Sequence, residues 1–564
     1  MIRLEKNGLN WFPTSRKEMD ALGWGRADVI LFSGDAYIDH PSFGAAVIAR
    51  VLESEGMKVA VVPQPNWRDD LRDFTKLGEP RFFFAVTAGN MDSMVNHYTA
   101  ARRLRSDDAY TPGGAAGFRP DYATIVYTRA LKGLFPSLPV LIGGIEASMR
   151  RLMHYDYWKD KLEPSILVSS GADMLVYGMA ERVVAGLARR LKAGENLKDI
   201  RDMPQSAYLV PAGVPIPPYP GARDRALRPC HEAVASRKAY AENFVLFEKT
   251  SNSMNPVRLT EQCGDVTVVV NPALPPATEA ETDAVYDLPF NYAPHPRYDK
   301  KGPIPAWEMI KFSVNIHRGC FGGCSFCAIA AHQGKFISSR SEASVMREVE
   351  KISRMDGFKG YLSDLGGPSA NMYRIAGRDR ERCMKCGRAS CIWPSVCDNL
   401  DTSHRDLTSL YRRVNSLPYI KKAFVGSGVR YDLLMKEYNR NAGKDEEQYL
   451  RELIVNHTSG RLKVAPEHTD EDVLYLMRKS SFRHFRKLRE KFLAIIKSAG
   501  LKYELVPYFI SAHPGTDNRK MEALARELSD LGMHPEQVQD FTPTPMTLAT
   551  AMFYLGFDPY TGKK

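Results

Sequence analysis

No apolar run in this 564-residue chain approaches the ~20 residues needed to cross a bilayer, which argues against a membrane-spanning helix. The opening Met1-Ile-Arg-Leu-Glu-Lys-Asn7 mixes charges at once and lacks the apolar centre of a secretion signal, so a cytoplasmic location with no membrane partner is expected. No internal repeat is found. Cysteine is scarce, nine in all, and the count is odd. Tight local clustering of so few cysteines, in a long chain without a secretion signal, argues for metal thiolates over disulfides. Acids are the scarcer charge, 66 against 77 bases, for a net +11. That excess suits a nucleic-acid partner or an ordinary solvated surface, and charge alone does not choose between them. The densest basic stretch, Arg478 to Lys491, reads as an amphipathic helix with Phe482, Phe485 and Leu488 turned inward. With 44% apolar and 25% charged residues the chain is globular, and its length implies two or three domains.

Two α/β regions are expected. In the first, residues 1–200, Ala27 to Ser33 is a short apolar run of the kind a buried parallel strand shows. Lys58 to Val62, Phe82 to Val86, Val140 to Gly143 and Met174 to Tyr177 repeat it, with helices over Phe43 to Ser54 and Glu181 to Leu191. This alternation implies a doubly wound parallel sheet. Prolines punctuate residues 201–301, which read as a surface connector with some strand around Val266 to Val270. In the second α/β region, residues 302–564, strands are expected at Phe312 to His317, Lys359 to Leu365, Lys422 to Gly426, Lys463 to Pro466, Tyr503 to Phe509 and Gln537 to Phe541. Six strand–helix units fit a partial (β/α)6 barrel of TIM type, whose chemistry belongs at the C-terminal strand ends.

Three cysteines follow the first of these strands directly, in Arg318-Gly-Cys320-Phe-Gly-Gly-Cys324-Ser-Phe-Cys327. Short loops of this kind wrap iron–sulfur clusters, and Gly319, Gly322 and Gly323 let the backbone come close. No fourth cysteine follows at comparable range, so one iron of a cubane is left open for substrate or cofactor, as in catalytic metal sites. A Cys3His zinc site recruiting His317 or His332 is the main alternative, and metal-free buried cysteines are the blandest one.

Cys-x3-Cys-x-aromatic-Cys after a first strand, with Phe326 in the aromatic place, resembles the radical SAM signature. The stretches Phe32 to Gly44, His317 to Arg340 and Cys383 to Asn399 resemble the YgiQ family over nearly the whole chain. Members are expected to run on past Thr561-Gly-Lys-Lys564 into a polar tail. The resemblance implies a [4Fe–4S] cluster on Cys320, Cys324 and Cys327, with S-adenosylmethionine chelated by the fourth iron. One electron, from a donor such as flavodoxin or ferredoxin, then cleaves it to a 5′-deoxyadenosyl radical that takes hydrogen from a substrate, which can be RNA in some relatives. It further assigns cofactor contacts to Phe326, to the glycine pair Gly366-Gly367, and to Ser427, Arg430 and Glu467. The acidic partner usual beside the glycine pair is missing: Pro368 follows, and Asp364 lies upstream. Helix capping or a surface ion pair is the plain reading of Ser427, Arg430 and Glu467-His468.

Cys383, Cys386, Cys391 and Cys397 form a second group, in an arginine-rich insertion at about 380–400. Four thiolates close a site without help, and either an auxiliary iron–sulfur cluster or structural zinc suits them, with a lean to the cluster. The first region is similar to the cobalamin-binding domains attached to some radical SAM enzymes. Asp39-His40-Pro-Ser-Phe-Gly44 has neither the spacing nor the position of their Asp-x-His-x-x-Gly motif, so cobalamin binding is not expected. Cys230 and Cys263, far apart in sequence, read as ordinary core or surface cysteines. A zinc-module nucleic-acid-binding protein and a cobalamin-dependent methyltransferase are the rivals to a radical SAM enzyme.

Overall fold

Residues 4–6, 9–533 and 536–564 are described in the computed structural model. Runs of branched and aromatic residues form five mutually parallel strands, Val29–Ser33, Val59–Pro63, Phe83–Thr87, Val140–Gly143 and Met174–Val176. Val29–Ser33 and Val59–Pro63 are buried at every position. Both faces of the sheet are covered, so their sequences show no polar alternation. Gly44–Ser54 and Glu181–Lys192 pack together on the face carrying Val29 and Leu31, while Ala123–Leu134 covers Ile30 and Phe32 on the other. In chain order the strands lie 2-1-3-4-5, the doubly wound arrangement whose crevice opens at the C-terminal strand ends.

Residues 206–270 are not the surface connector expected. Ser206–Pro211, Val266–Val270 and Val257–Cys263 extend the same sheet antiparallel to one another, and Arg223–Ala226 adds a further parallel edge strand. Arg237–Ser251 is a 15-residue helix. Pro215, Pro217, Pro218 and Pro220 fall in the loop between two of these strands, so they punctuate regular elements rather than abolish them. The helix Cys230–Ala235 packs on Val257–Cys263 and brings Cys230 to Cys263, joined as a disulfide with their Cα atoms 4.9 Å apart. Glu261, two residues before Cys263 on the same strand face, lies beside them, and burial pushes its carboxyl up to about 7.

The second region lays down its strands in chain order, each parallel to the next. Ser313–Asn315 pairs with Asp364–Gly366, and Tyr361–Leu362 with Lys422–Ala423. Val429 bridges to Val464, and Arg461–Glu467, Glu504–Ser511 and Gln537–Asp540 complete the series. This is the order of an open six-unit strand–helix barrel, and it sets six loops along one edge. Phe482–Ser498 buries Phe482, Phe485 and Leu488 against it, as its apolar spacing predicts. One apolar core runs through both regions, from Val29 and Val183 to Val314 and Leu365. Among the described residues no helix is long and apolar enough to cross a membrane.

Candidate metal centre

The loop carrying Cys320, Cys324 and Cys327 leaves the barrel at the C-terminal end of Ser313–Asn315. It is fastened on all sides. Cys320 donates its backbone N–H to Gly334 O at 3.0 Å, Ser325 N reaches Met477 O at 3.1 Å, and Ala549 N reaches Ser325 O at 2.8 Å. Gly319 and Gly323 have φ of +89° and +60°. A Cβ would lie 2.4 Å from Phe336 O at the first and 2.4 Å from Ala389 O at the second, so only glycine fits either place. Burial pushes the Cys320 thiol up to about 11 and the Cys327 thiol to about 12, and the charge of the neighbouring Cys324 sulfur adds to both. A metal that takes these groups as thiolates removes that penalty, so the donor set fits an iron–sulfur cluster.

Four residues assigned by resemblance stand around this loop. Arg430 points Nη1 at Cys324 Sγ, 3.2 Å away, and its other nitrogens are held by Asp432, with Nε 3.1 Å from Oδ1. Glu467, at the end of its strand with φ +71°, is buried beside Cys327, and Lys479 Nζ lies 3.5 Å from its carboxylate. Burial raises the Glu467 carboxyl above the usual range. Ser427 donates Oγ–H and N–H to Asp364, which also accepts from Gly426 N at 2.9 Å. Phe326 joins an apolar group with Met153 and Leu548, its ring edge-on to His513 at 6.1 Å.

The glycine pair closes the strand Asp364–Gly366. At Gly367 a Cβ would lie 2.5 Å from the His317 ring, and at Gly366 it would crowd Asp364 and Ser427. His317 is therefore used as packing under the pair. Lys479 and His513 were not singled out in sequence because each enters from a distant element, and Asp432, two residues after Arg430, has no motif of its own.

The second cysteine group lies directly against the first loop. Cys391 N donates to Phe321 O at 3.0 Å, and Ser390 Oγ to Gly322 O at 2.7 Å. Cys320, Cys391 and Cys397 share one apolar cluster with Phe321 and Ile392. Cys383 and Cys391 each feel the other thiols of the group, and burial pushes Cys391 up to about 11. The ammonium of Lys335, itself buried and donating to Arg388 O at 2.7 Å, faces these sulfurs. Among the described residues, the donor atoms of Cys230, Glu261 and Cys263 all lie within 4.8 Å of one another, but the disulfide leaves these two cysteines no thiolate to offer a metal.

Two cavities separate the doubly wound sheet from the cluster loop. One, of about 440 Å³, opens at the C-terminal strand ends over Gly89, Gly143 and Gly144, and the short helix Ile329–Gln333 that follows Cys327 closes it. The other, of about 180 Å³, shares that helix and is bounded by Arg151, Tyr177 and Phe247. Arg318, two residues before Cys320, is paired with Glu181 at the border of both. His332 lines both. Asp39 and His40 do not reach either: Asp39 is paired with Arg50, and the His40 ring is packed against Tyr292 and Trp307 at 4.8 and 5.5 Å.

The chain is similar over residues 11–313 to the family described as Radical SAM N-terminal. A UPF0313 protein from Porphyromonas gingivalis is 58% identical, with 98% of this chain and 87% of that protein covered. One from Bacteroides thetaiotaomicron is 55% identical, with 98% and 90% covered. Among solved structures, the radical S-adenosylmethionine methyltransferase TsrM from Kitasatospora setae, with cobalamin and a [4Fe–4S] cluster bound, aligns with a TM-score of 0.51 over 92% of this chain and 74% of that one. At 14% identity that likeness is one of fold. A family match over more than half the chain, and relatives this similar from end to end, show that the chain belongs to the radical SAM-related UPF0313 family.

Proposed function

We propose that this chain is a radical SAM enzyme, holding a [4Fe–4S] cluster on Cys320, Cys324 and Cys327 and reductively cleaving S-adenosylmethionine. The observation that carries the reading is the convergence of these three half-buried thiols on one loop at the C-terminal ends of six parallel strands, while the next four cysteines form a group of their own. When bound, such a cluster supplies the electron that breaks the sulfonium C–S bond. The chain's own residues then bind and shield. Arg430, fixed by Asp432, holds positive charge against the thiolates. Glu467 offers an acceptor at the loop's edge, and Gly366-Gly367, packed over Asp364, Ser427 and His317, offer bare backbone at a strand end.

For the second group we favour an auxiliary iron–sulfur cluster. Buried Lys335 suits the net negative charge of a cluster held by four thiolates. Two results are expected. Reduced, reconstituted protein yields 5′-deoxyadenosine from S-adenosylmethionine, and a Cys320→Ala/Cys324→Ala/Cys327→Ala variant keeps iron at the second group. Zinc with no iron in that variant removes the auxiliary cluster, and absence of the nucleoside from the wild type removes the enzyme.

One observation favours a second reading, in which a corrinoid sits between the two regions. The larger cavity lies at the C-terminal ends of the doubly wound strands, opposite the cluster loop, and its floor is glycine: a Cβ at Gly144 would lie 2.4 Å from Thr87 Oγ1. TsrM, similar in fold, has cobalamin bound. Corrinoid absorbance in the purified protein is the test.

A further inference from the structure

Eight arginines of the described chain are buried, and seven of them, Arg50, Arg119, Arg150, Arg258, Arg340, Arg430 and Arg478, have a carboxylate within 4.0 Å. Arg151 is the eighth. It is 3% exposed, and among the described residues it has no such partner. Its Nη1 donates to Ser148 O at 2.5 Å and meets Met546 Sδ at 3.9 Å, and its Nη2 donates to Ser251 Oγ at 3.2 Å; all three partners are neutral. The rings of Tyr177 and Phe247 lie 4.6 and 4.8 Å from its Cζ. A guanidinium taken out of water without an acid is strongly disfavoured, so an arginine kept in that state points to an anion that arrives from outside.

The surroundings agree. Arg151 lines the smaller cavity with Arg182 and Arg318, against two acids, Glu181 and Glu281, that are already paired with Arg318 and Arg182. Across the same cavity, His332 Nδ1 is buried without a hydrogen-bond partner. Burial, then the charge of Arg151, push this histidine down to about 4. The residues assigned to S-adenosylmethionine, Gly366, Ser427, Arg430 and Glu467, do not line this cavity, so an anion there is not the carboxylate of that cofactor.

We propose that Arg151 binds an anionic group of the substrate, a carboxylate or a phosphate, between Tyr177, Phe247 and the helix Ile329–Gln333. Naming the anion as part of the substrate rests on the radical SAM reading. The binding itself does not, and it is measured without cofactor turnover.

The test is equilibrium dialysis of anaerobically reconstituted protein against labelled inorganic phosphate and, separately, labelled benzoate. One of the two is expected to saturate a single site; phosphate alone marks a phosphate-bearing substrate, and benzoate alone a carboxylate. Arg151→Met weakens that binding at least tenfold, while Arg182→Gln, at a position already paired with Glu281, changes it less than twofold. Because Arg151→Met replaces an unpaired charge with an apolar chain between two rings, its Tm is expected at or above that of the wild type. Arg151→Lys keeps the charge and is expected to bind, more weakly. The proposal is overturned if neither anion saturates, if Arg151→Met binds as well as wild type, or if Arg151→Met lowers Tm while Arg151→Lys loses nothing.

Discussion

Cys324→Ala is expected to lower 5′-deoxyadenosine formation on the order of a thousandfold or more, to background, while Cys386→Ala retains most of it. Cys324 is the middle ligand of the loop. Its sulfur receives Arg430 Nη1 at 3.2 Å, and its charge bears on both Cys320 and Cys327. Removing it leaves two thiols for a cluster that needs three, and leaves Arg430 aimed at a methyl group. Cys386 belongs to the neighbouring group, which packs beneath the loop through Cys391 and Ser390. Its loss disturbs that group and leaves the loop's own anchors at Gly334 and Met477 in place. Quantifying the nucleoside by chromatography, with iron and sulfide measured on the same samples, checks both arms. Equal loss in the two variants would mean that the cysteine groups act as one centre.

The next largest effect is expected at Gly323. Here φ is +60°, and a Cβ would stand 2.4 Å from Ala389 O and 2.9 Å from Ser390 Cβ. Gly323→Ala combines a left-handed backbone, about 1–2 kcal/mol for an L-residue, with overpacking of about 1–3 kcal/mol. Neither loop can yield alone, because Ser390 Oγ is tied to Gly322 O and Cys391 N to Phe321 O. The variant is expected to lose iron from the first centre, to disturb the second, and to show a lower Tm. Gly387→Ala, in the same insertion but with nothing within 4 Å of its Cβ, is the matched control and is expected to behave as wild type. A full complement of iron in Gly323→Ala would show that the two loops do not lean on each other.

Much of this architecture was legible in sequence for simple reasons. Buried parallel strands such as Val29–Ser33 and Val140–Gly143 are short apolar runs, and the spacing from Cys320 to Cys327 has few other uses. The strand expected around Val266 to Val270 is present, but residues 206–263 were misread because prolines mark loops without saying what lies between them, and Val257–Cys263 mixes buried and exposed positions on a sheet's outer part. The Cys230–Cys263 disulfide spans 33 residues and joins the start of a helix to the end of a strand, which packing alone brings together. Asp364, upstream of the glycine pair, accepts from Ser427, which follows the next strand. Arg151 follows Arg150 directly, and nothing in that pair foretells that one meets Asp92 while the other meets none. Partnership of that kind is a property of packing, and only coordinates display it.

The central claim is that three protein thiolates leave one iron free to take S-adenosylmethionine through its amino and carboxylate groups. Its most direct test is electron–nuclear double resonance on the reduced protein, frozen with S-adenosylmethionine labelled with ¹⁵N in the amino group and ¹⁷O in the carboxylate. Hyperfine couplings from both labels, lost in Cys324→Ala and kept in Cys386→Ala, are the predicted result. A cluster signal unchanged by the labelled cofactor, with every iron accounted for by protein ligands, would contradict it.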